Sequence, residues 1–275
     1  VGLIHTIAPP FVRELIGASA IAPTYSWDAL VCTSPAVQKA MEKMFDGWTE
    51  HLRERLGATE APRPQLPLIP LAVNTELFAQ QADNLENRAA LRQRLSIKED
   101  DVLLLWVGRL SYYEKAFPQS MFNAIQIASK SCDDRLCFAL VGWFPGGNEE
   151  LQLYQQAAEI LAPDIDVMVL DGNDPKLRAQ SWAAADIFLS LVDNVQETFG
   201  LTPVEAMAAG LPVIASDWNG YPYTIRNGVD GFLIPTLGSP GGYLGELLAG
   251  LHGLELETYQ TYVGATAQHT AVNVQ

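Results

Sequence analysis

Short apolar runs alternate along the middle of the chain with stretches in which apolar residues recur at helical spacing. An apolar run of about four to eight residues is typical of a strand buried on both faces, and apolar positions three and four residues apart are typical of a helix with one buried face. The runs predict strands at residues 101–107, 135–142, 165–170, 186–192 and 211–216. The helical spacing predicts helices at residues 85–95, 118–130, 148–161 and 176–184. Because short loops join these elements into parallel βαβ units, the predicted fold class is α/β, a doubly wound parallel sheet of about six strands.

The first part of the chain follows a less regular pattern. It predicts strands at residues 1–7 and 28–34, then a helix at 35–45 with Ser34 as its N-cap. Residues 61–70, APRPQLPLIP, carry four prolines in ten positions. Proline at this density breaks regular structure and suits a crossing between domains.

The most informative stretch is residues 197–235, ETFGLTPVEAMAAGLPVIASDWNGYPYTIRNGVDGFLIP. Thr202 is the predicted N-cap of a short helix, Glu205 stands three residues later as in a capping box, and Gly210 is expected to end the helix in a left-handed conformation. A right-handed crossover places the loop 197–201 at the carboxyl edge of the sheet, where open α/β sheets bind ligands.

The spacing of Glu197 and Glu205 alone leaves two interpretations of this loop open. In the first, Glu205 is only a capping acid and Glu197 only a solvated charge. In the second, the backbone amides of Phe199, Gly200 and Leu201 face an anionic or hydroxyl-rich ligand, and the two acids accept hydrogen bonds from its hydroxyl groups.

The E-x7-E spacing, followed by G-L-P-V-I-A-S and G-x-x-G-F-L-I-P, resembles the sugar-donor signature of retaining GT-B glycosyltransferases, above all their family four. Members of that family use nucleotide-activated sugars. The resemblance implies that Glu197 contacts the transferred sugar and that Glu205 contacts the nucleotide ribose, and it favours the second reading.

A second element follows the predicted strand 101–107. Gly108, Arg109 and Lys115 resemble the family element G-R-L-x-x-x-x-K-G, whose arginine and lysine hold the diphosphate of the sugar donor, although Ala116 replaces its last glycine. The alternative is a pair of solvated loop cations. A dinucleotide-binding enzyme is disfavoured because no G-x-G-x-x-G follows this strand.

The resemblance also divides the chain. Residues 1–73 are similar to the end of the family's Rossmann-like acceptor-side domain and its linker, and residues 74–275 to the nucleotide-sugar donor-binding domain, with the boundary near Asn74. His5 stands where some members place a histidine facing the sugar, but an isolated histidine is more often an ordinary loop residue. Residues 243–275 are expected to lack the clear helix with which members return to the first domain.

Charge and composition argue against several classes of binding partner. Seventeen basic and 32 acidic residues give a net charge of −15, which argues against nucleic acid as a partner. The three cysteines have no C-x-x-C spacing, so neither zinc nor a disulfide framework is expected. No apolar run is long enough to be a transmembrane segment, and a cytoplasmic location is expected.

The resulting hypothesis is an enzyme, a retaining hexosyltransferase that moves a sugar from a nucleotide-diphosphate sugar to a hydroxyl acceptor, itself a sugar or lipid-linked, without a cofactor. The 275-residue chain alone is expected to be inactive because most of an acceptor-side domain is absent from it. Two alternatives stay open: a non-catalytic module that binds nucleotide or sugar, and a GT-B sugar-nucleotide epimerase. The sequence does not identify the sugar, the base or the acceptor.

Overall fold

The structure is a computed structural model that describes residues 1–238 and 242–275. Its strands are β1 (Gly2–Ile4), β2 (Leu30–Cys32), β3 (Val102–Arg109), β4 (Leu136–Trp143), β5 (Asp166–Asp171), β6 (Ile187–Ser190), β7 (Val213–Ser216), β8 (Gly231–Ile234), β9 (Thr236–Leu237) and β10 (Ala271–Val272). Its helices are α1 (Val12–Ile21), α2 (Pro35–Leu56), α3 (Thr75–Ala82), α4 (Leu85–Arg94), α5 (Pro118–Ser129), α6 (Gly147–Leu161), α7 (Pro175–Ala184), α8 (Leu201–Ala208), α9 (Tyr243–Gly253) and α10 (Tyr259–Ala267).

Six parallel strands form the main sheet in the order β5-β4-β3-β6-β7-β8. Of these six strands, β3 comes first along the chain and lies in the middle of the sheet. The chain then runs outward through β4 and β5, and it returns to the middle to form the other half of the sheet from β6, β7 and β8. This order is that of a doubly wound sheet, and its topological switch point lies between β3 and β6. The predicted α/β fold class and the number of strands are confirmed.

The apolar runs form strands because both faces of the sheet are covered. α5 packs on α6, while α3, α4, α7 and α8 form a second group of helices. The side chains of Trp106, Phe138, Trp182 and Phe188 are almost completely buried in the resulting core. Truncating an aromatic ring at such a position to alanine typically costs about 3–5 kcal/mol of stability.

A smaller parallel sheet, β1 beside β2, packs with α1 and α2 around its own apolar cluster. The predicted cap of α2 is confirmed, because the Ser34 hydroxyl accepts a hydrogen bond from the Val37 N–H at 3.4 Å. The helix is longer than residues 35–45, however, and continues through Gly47 to Leu56. Phe45 and Leu52 are buried on its inner face, which offsets the cost of about 1 kcal/mol for a glycine inside a helix.

The irregular segment after α2 ends where α3 begins. The Asn74 side chain caps this helix by accepting a hydrogen bond from the Leu77 N–H at 3.1 Å. Neither α3 nor α1 was predicted from the apolar pattern. The division into residues 1–73 and 74–275 stays a prediction.

The expectation for the C-terminal tail was wrong. Two helices, α9 and α10, fold from residues that were expected to lack a clear helix. A cavity of about 1020 Å³ lies between α9 and the segment 7–14.

Within residues 1–238 and 242–275, the structure contains no helix that has both the length and the apolar character needed to span a bilayer.

Candidate functional site

Two loops meet at the switch point on the carboxyl edge of the sheet. The β3 loop comprises residues 110–117, and the β6 loop comprises residues 191–200. The Asn194 amide donates a hydrogen bond to the Tyr113 carbonyl at 2.6 Å, and the Phe117 N–H donates one to the Asp193 carboxylate at 3.3 Å. The loops are therefore joined, and they form the crevice in which doubly wound sheets bind ligands.

Lys115 and Glu197 form an ion pair across this crevice. Lys115 Nζ lies 2.8 Å from Glu197 Oε2, and the Glu197 side chain is only 10% exposed. Burial acts to raise the pKa of Glu197, but the charge and hydrogen bond of Lys115, with hydrogen bonds from the Phe199 and Thr198 amides, outweigh it and hold the pKa below its ordinary value. Glu197 is thus an ionised, buried carboxylate at neutral pH.

Arg109 has an acidic partner as well. Arg109 Nη1 lies 2.8 Å from Glu114 Oε2, the residue immediately before Lys115. A Cβ on Gly108 would lie 3.8 Å from Cε of Lys115, so Gly108 is at the foot of the lysine side chain. Both cations are at the predicted edge, and each is already paired with a carboxylate. Any anion that bound these two cations would compete with Glu114 at Arg109 and with Glu197 at Lys115.

The turn into α8 differs from its prediction. Gly200, not Thr202, is the N-cap, with a φ of +89°, and no side chain caps the helix. A Cβ at Gly200 would lie 2.1 Å from the Tyr221 ring, so this turn requires glycine. Because the helix already begins at Leu201, Thr202 lies inside its first turn, and the capping-box role of Glu205 was wrong.

The turn nevertheless leaves backbone donors free. Of the residues that the structure describes, none accepts a hydrogen bond from the N–H groups of Gly200 or Leu201. Phe199, which is buried, directs its amide toward the Glu197 carboxylate. The other end of the helix is as predicted, since Gly210 follows it with a φ of +76°.

Glu205 is half-buried on α8, and its side chain makes no hydrogen bond within the described ranges. Burial raises its pKa, and the positive charge of Arg178 on α7 opposes this effect only in part. Arg178 itself donates to the Gly172 carbonyl just after β5, at 3.1 Å. The Glu205 carboxylate is therefore an acceptor without a hydrogen-bond partner among the described residues, on the helix that follows the β6 loop.

His5 lies beside the β6 loop although 193 residues separate it from Thr198. The Thr198 hydroxyl donates a hydrogen bond to the His5 backbone carbonyl at 2.8 Å, and the His5 side chain is exposed. The structure thus places the His5 backbone against the β6 loop at the residue after Glu197, and a role of the His5 side chain toward a sugar stays a prediction.

Two further residues of the site were missed. Asp193 is 4% exposed, and burial raises its pKa to about 7. Its position directly after an apolar run was an available signal. Tyr221 is completely buried, with its hydroxyl 3.1 Å from that of Ser190, and burial followed by the charge of Glu197 raises its pKa well above the usual range. No sequence pattern pointed to Tyr221.

The family model described as glycosyl transferases group 1 matches residues 87–240, more than half of the chain. The chain belongs to this family. The matched segment contains most of α4, the strands β3 to β8 and both loops of the crevice.

Relatives of this group 1 chain include two proteins named D-inositol 3-phosphate glycosyltransferase. That of Thermobispora bispora is 32% identical over 186 residues, which are 66% of this chain and 41% of the relative. That of Geodermatophilus obscurus is 28% identical over 239 residues, 85% of this chain and 51% of the relative. The chain spans about half the length of these relatives.

Among solved structures, Anabaena HepE in complex with UDP-glucose superposes with a TM-score of 0.60 at 20% sequence identity, covering 97% of this chain and 65% of HepE. WaaG, a glycosyltransferase involved in lipopolysaccharide biosynthesis, superposes with a TM-score of 0.55 at 19% identity, covering 87% of this chain and 56% of WaaG. This group 1 chain therefore has the fold of GT-B glycosyltransferases, as predicted.

Proposed function

We propose that this chain holds the nucleotide-sugar site of an enzyme that transfers a sugar from a nucleotide-diphosphate sugar to a hydroxyl acceptor with retention of configuration. The observation that supports it most is the ion pair between Lys115 and Glu197, which joins the β3 and β6 loops across the switch point. Cations for a diphosphate and a carboxylate for a sugar hydroxyl are adjacent there.

The main barrier to this reaction is negative charge that builds up on the leaving diphosphate. A cation about 4 Å from a phosphate oxygen contributes about 4 kcal/mol at an effective dielectric constant of 20. Arg109 and Lys115 supply such charge when they exchange their carboxylate partners for phosphate oxygens. No metal ion or cofactor is required in this proposal, so treatment with EDTA should leave sugar-donor binding unchanged.

The carboxylates have separate roles. When Lys115 turns to the diphosphate, Glu197 is left buried and ionised, and it accepts a hydrogen bond from a hydroxyl of the transferred sugar. The unpaired Glu205 accepts from the nucleotide ribose. The free amides of Gly200 and Leu201, at the start of α8, face the anionic part of the ligand. Phe199 fixes the carboxylate of Glu197, and His5 faces the sugar.

The domain division belongs to the same proposal. Residues 74–275 form the nucleotide-sugar domain, and residues 1–73 are the end of an acceptor-side domain. With one wall of the site supplied from elsewhere, this chain alone should bind nucleotides weakly, with a Kd of about millimolar to high micromolar. The acceptor is a sugar or a lipid-linked hydroxyl, and a cytoplasmic location remains part of the proposal.

Calorimetry with UDP-glucose, UDP, GDP and ADP tests the proposal. UDP-glucose is the first sugar donor to try because it is bound in the HepE structure. At least one nucleotide should bind, and Arg109→Ala and Lys115→Ala should each weaken it about tenfold or more without a matching loss of melting temperature. The matched controls are Arg94→Ala and Lys130→Ala, which remove exposed cations outside the crevice.

Product analysis completes the test. Because this chain alone is expected to be inactive, transfer should be followed in a longer protein that includes an acceptor-side domain, with inositol 3-phosphate as the first acceptor since the relatives' names contain it. The anomeric configuration of the product reports on retention. An isomeric nucleotide sugar formed without acceptor would instead identify an epimerase, and binding equal in wild type and both alanine variants would contradict the proposed site.

A further inference from the structure

α10 contacts both loops of the crevice, although it lies beyond the matched segment 87–240. Tyr259, at its start, donates a hydrogen bond from its hydroxyl to Gln196 Oε1 of the β6 loop at 2.9 Å. Gln260 donates from its side-chain amide to Glu114 Oε1 of the β3 loop at 3.2 Å. Two consecutive residues of one helix therefore reach the two loops that carry the proposed phosphate and sugar contacts.

Gln196 links Tyr259 to the β3 loop through hydrogen bonds. Its side-chain amide donates to the Glu114 backbone carbonyl at 3.1 Å, and its own backbone N–H donates to the Asn194 side chain at 2.9 Å. A glutamine side chain has one carbonyl group and one NH2 group. Because the Tyr259 hydroxyl occupies the carbonyl, the NH2 group is directed toward Glu114. Gln196 is also the residue immediately before Glu197.

The rest of α10 is packed firmly enough to act as a support. Val263, Gly264 and Ala267 are buried. A Cβ on Gly264 would lie 2.8 Å from the Tyr113 ring, so the helix approaches the β3 loop closely there. Burial, followed by the charges of Tyr262 and Glu114, raises the pKa of Tyr259 to about 12, so its hydroxyl keeps its proton and can donate at neutral pH.

The carboxylate of Glu114 is shared between the helix and the site. Arg109 contacts Oε2 at 2.8 Å, whereas Gln260 contacts Oε1. When Arg109 turns to a phosphate, Glu114 loses its cation but keeps the hydrogen bond from Gln260. When a carboxylate loses its cation, the cost in free energy is smaller if it still accepts a hydrogen bond than if it has no donor left.

We propose that Tyr259 and Gln260 are positioning residues of the nucleotide-sugar site: α10 holds the β3 and β6 loops in register, and Gln260 retains Glu114 when the diphosphate displaces it from Arg109. This inference rests on the proposed function for the identity of the ligand. It assigns to the C-terminal tail a role in binding the diphosphate.

The test compares Tyr259→Phe with Tyr262→Phe. Tyr262 is on the same helix, but among the described residues its hydroxyl makes no hydrogen bond to either loop. In the ligand-free protein, Tyr259→Phe should speed hydrogen exchange of amides in residues 110–117 and 191–200, and Tyr262→Phe should not. In calorimetry with UDP, Tyr259→Phe should lower the affinity about threefold to tenfold, the effect of one hydrogen bond, at an unchanged melting temperature.

A second pair uses exposed residues, so that folding is not at risk. Gln260→Ala should lower UDP affinity about twofold to fivefold, whereas Gln268→Ala, at the other end of α10, should have no effect. Unchanged exchange in both loops for Tyr259→Phe overturns the inference, as does equal UDP affinity in Gln260→Ala and Gln268→Ala. If UDP, GDP and ADP all fail to bind the wild type, the proposed function fails, but the exchange comparison still decides whether α10 holds the loops.

Discussion

Replacing Lys115 by methionine would remove the charge opposite Glu197 while keeping an apolar side chain of similar length. Glu197 would then be a buried carboxylate that keeps the hydrogen bonds of the Phe199 and Thr198 amides but has lost its cation. Burial is the largest influence on this group, and it acts against ionisation. We therefore expect the pKa of Glu197 in this variant to rise above its ordinary value, the opposite of its direction in the wild type.

The size of the effect follows from the geometry. Two unit charges 2.8 Å apart attract by about 6 kcal/mol at an effective dielectric constant of 20, and desolvation of both groups offsets most of this. Breaking a fully buried pair by removing one partner costs about 3–5 kcal/mol. Because the Lys115 side chain is 26% exposed, we expect Lys115→Met to lose about 2 kcal/mol of unfolding free energy at pH 7, a value reduced for solvent screening.

The pH dependence gives this prediction its sharpest test. In the wild type the lowered pKa means that Glu197 contributes full stability above about 4.5 and loses it only as the pH falls through the lower folded-state pKa. In the variant the sign reverses, and stability falls as the pH rises above about 4.5. Urea titrations at pH 4 and pH 7 should therefore show a larger difference between the proteins at pH 7.

Two further variants control for other causes. The double variant Lys115→Met/Glu197→Gln should regain most of the lost stability, because no unpaired charge remains. Lys130→Met, a substitution at an exposed position, should leave the unfolding free energy unchanged. A stability loss of the same size at both pH values, or a double variant no more stable than Lys115→Met, would show that the pair is not the cause.

Four other substitutions test separate parts of the site. Glu205→Gln should weaken binding of the free nucleotide, whereas Glu197→Gln should mainly impair binding of the intact sugar donor; calorimetry with UDP and UDP-glucose separates them, and negligible effects of both would remove the two acids from the site. Gly200→Ala should cost at least about 2 kcal/mol of unfolding free energy, because it combines a φ of +89° with a Cβ 2.1 Å from the Tyr221 ring; a melting temperature equal to the wild type would contradict this. Asp193 has its pKa raised by burial to about 7, so its contribution to stability falls as the pH rises from about 4 to 7, and Asp193→Asn should be the more stable protein at pH 8 but not at pH 5.

The sheet could be predicted because its strands are buried on both faces. Residues 102–107 and 136–141 are continuous apolar runs, and such runs are recognisable without knowledge of the partner strands. Helices with a weak apolar stripe were harder. α3 has no buried residue, and α1 follows two prolines, so neither had a clear periodic signal. In the tail, α9 also lacks buried residues, and its glycines suggested an irregular segment.

The residues of the site could be predicted only where a family motif stands at the carboxyl end of a predicted strand. Arg109 ends a buried strand, and Lys115 and Glu197 lie in the loops after buried strands. Parallel strands bring their carboxyl ends to one edge of the sheet. The ion pair of Arg109 with Glu114 depends on how the β3 loop turns, which the sequence does not state. The cap of α8 was assigned to Thr202 from residue preference, but the N-cap is Gly200, which packs against Tyr221, and the helix begins two residues earlier than expected.

The pairing of both site cations with carboxylates has a kinetic consequence. Arg109 and Lys115 are neutralised by Glu114 and Glu197, so the empty crevice carries no net positive charge to attract an anion, while the whole chain carries −15. A nucleotide sugar therefore approaches against a repulsive field, and the field extends about 30 Å at 0.01 M salt but only about 10 Å at 0.1 M. Adding salt should speed the encounter, the reverse of the behaviour of a protein that draws in its anionic substrate.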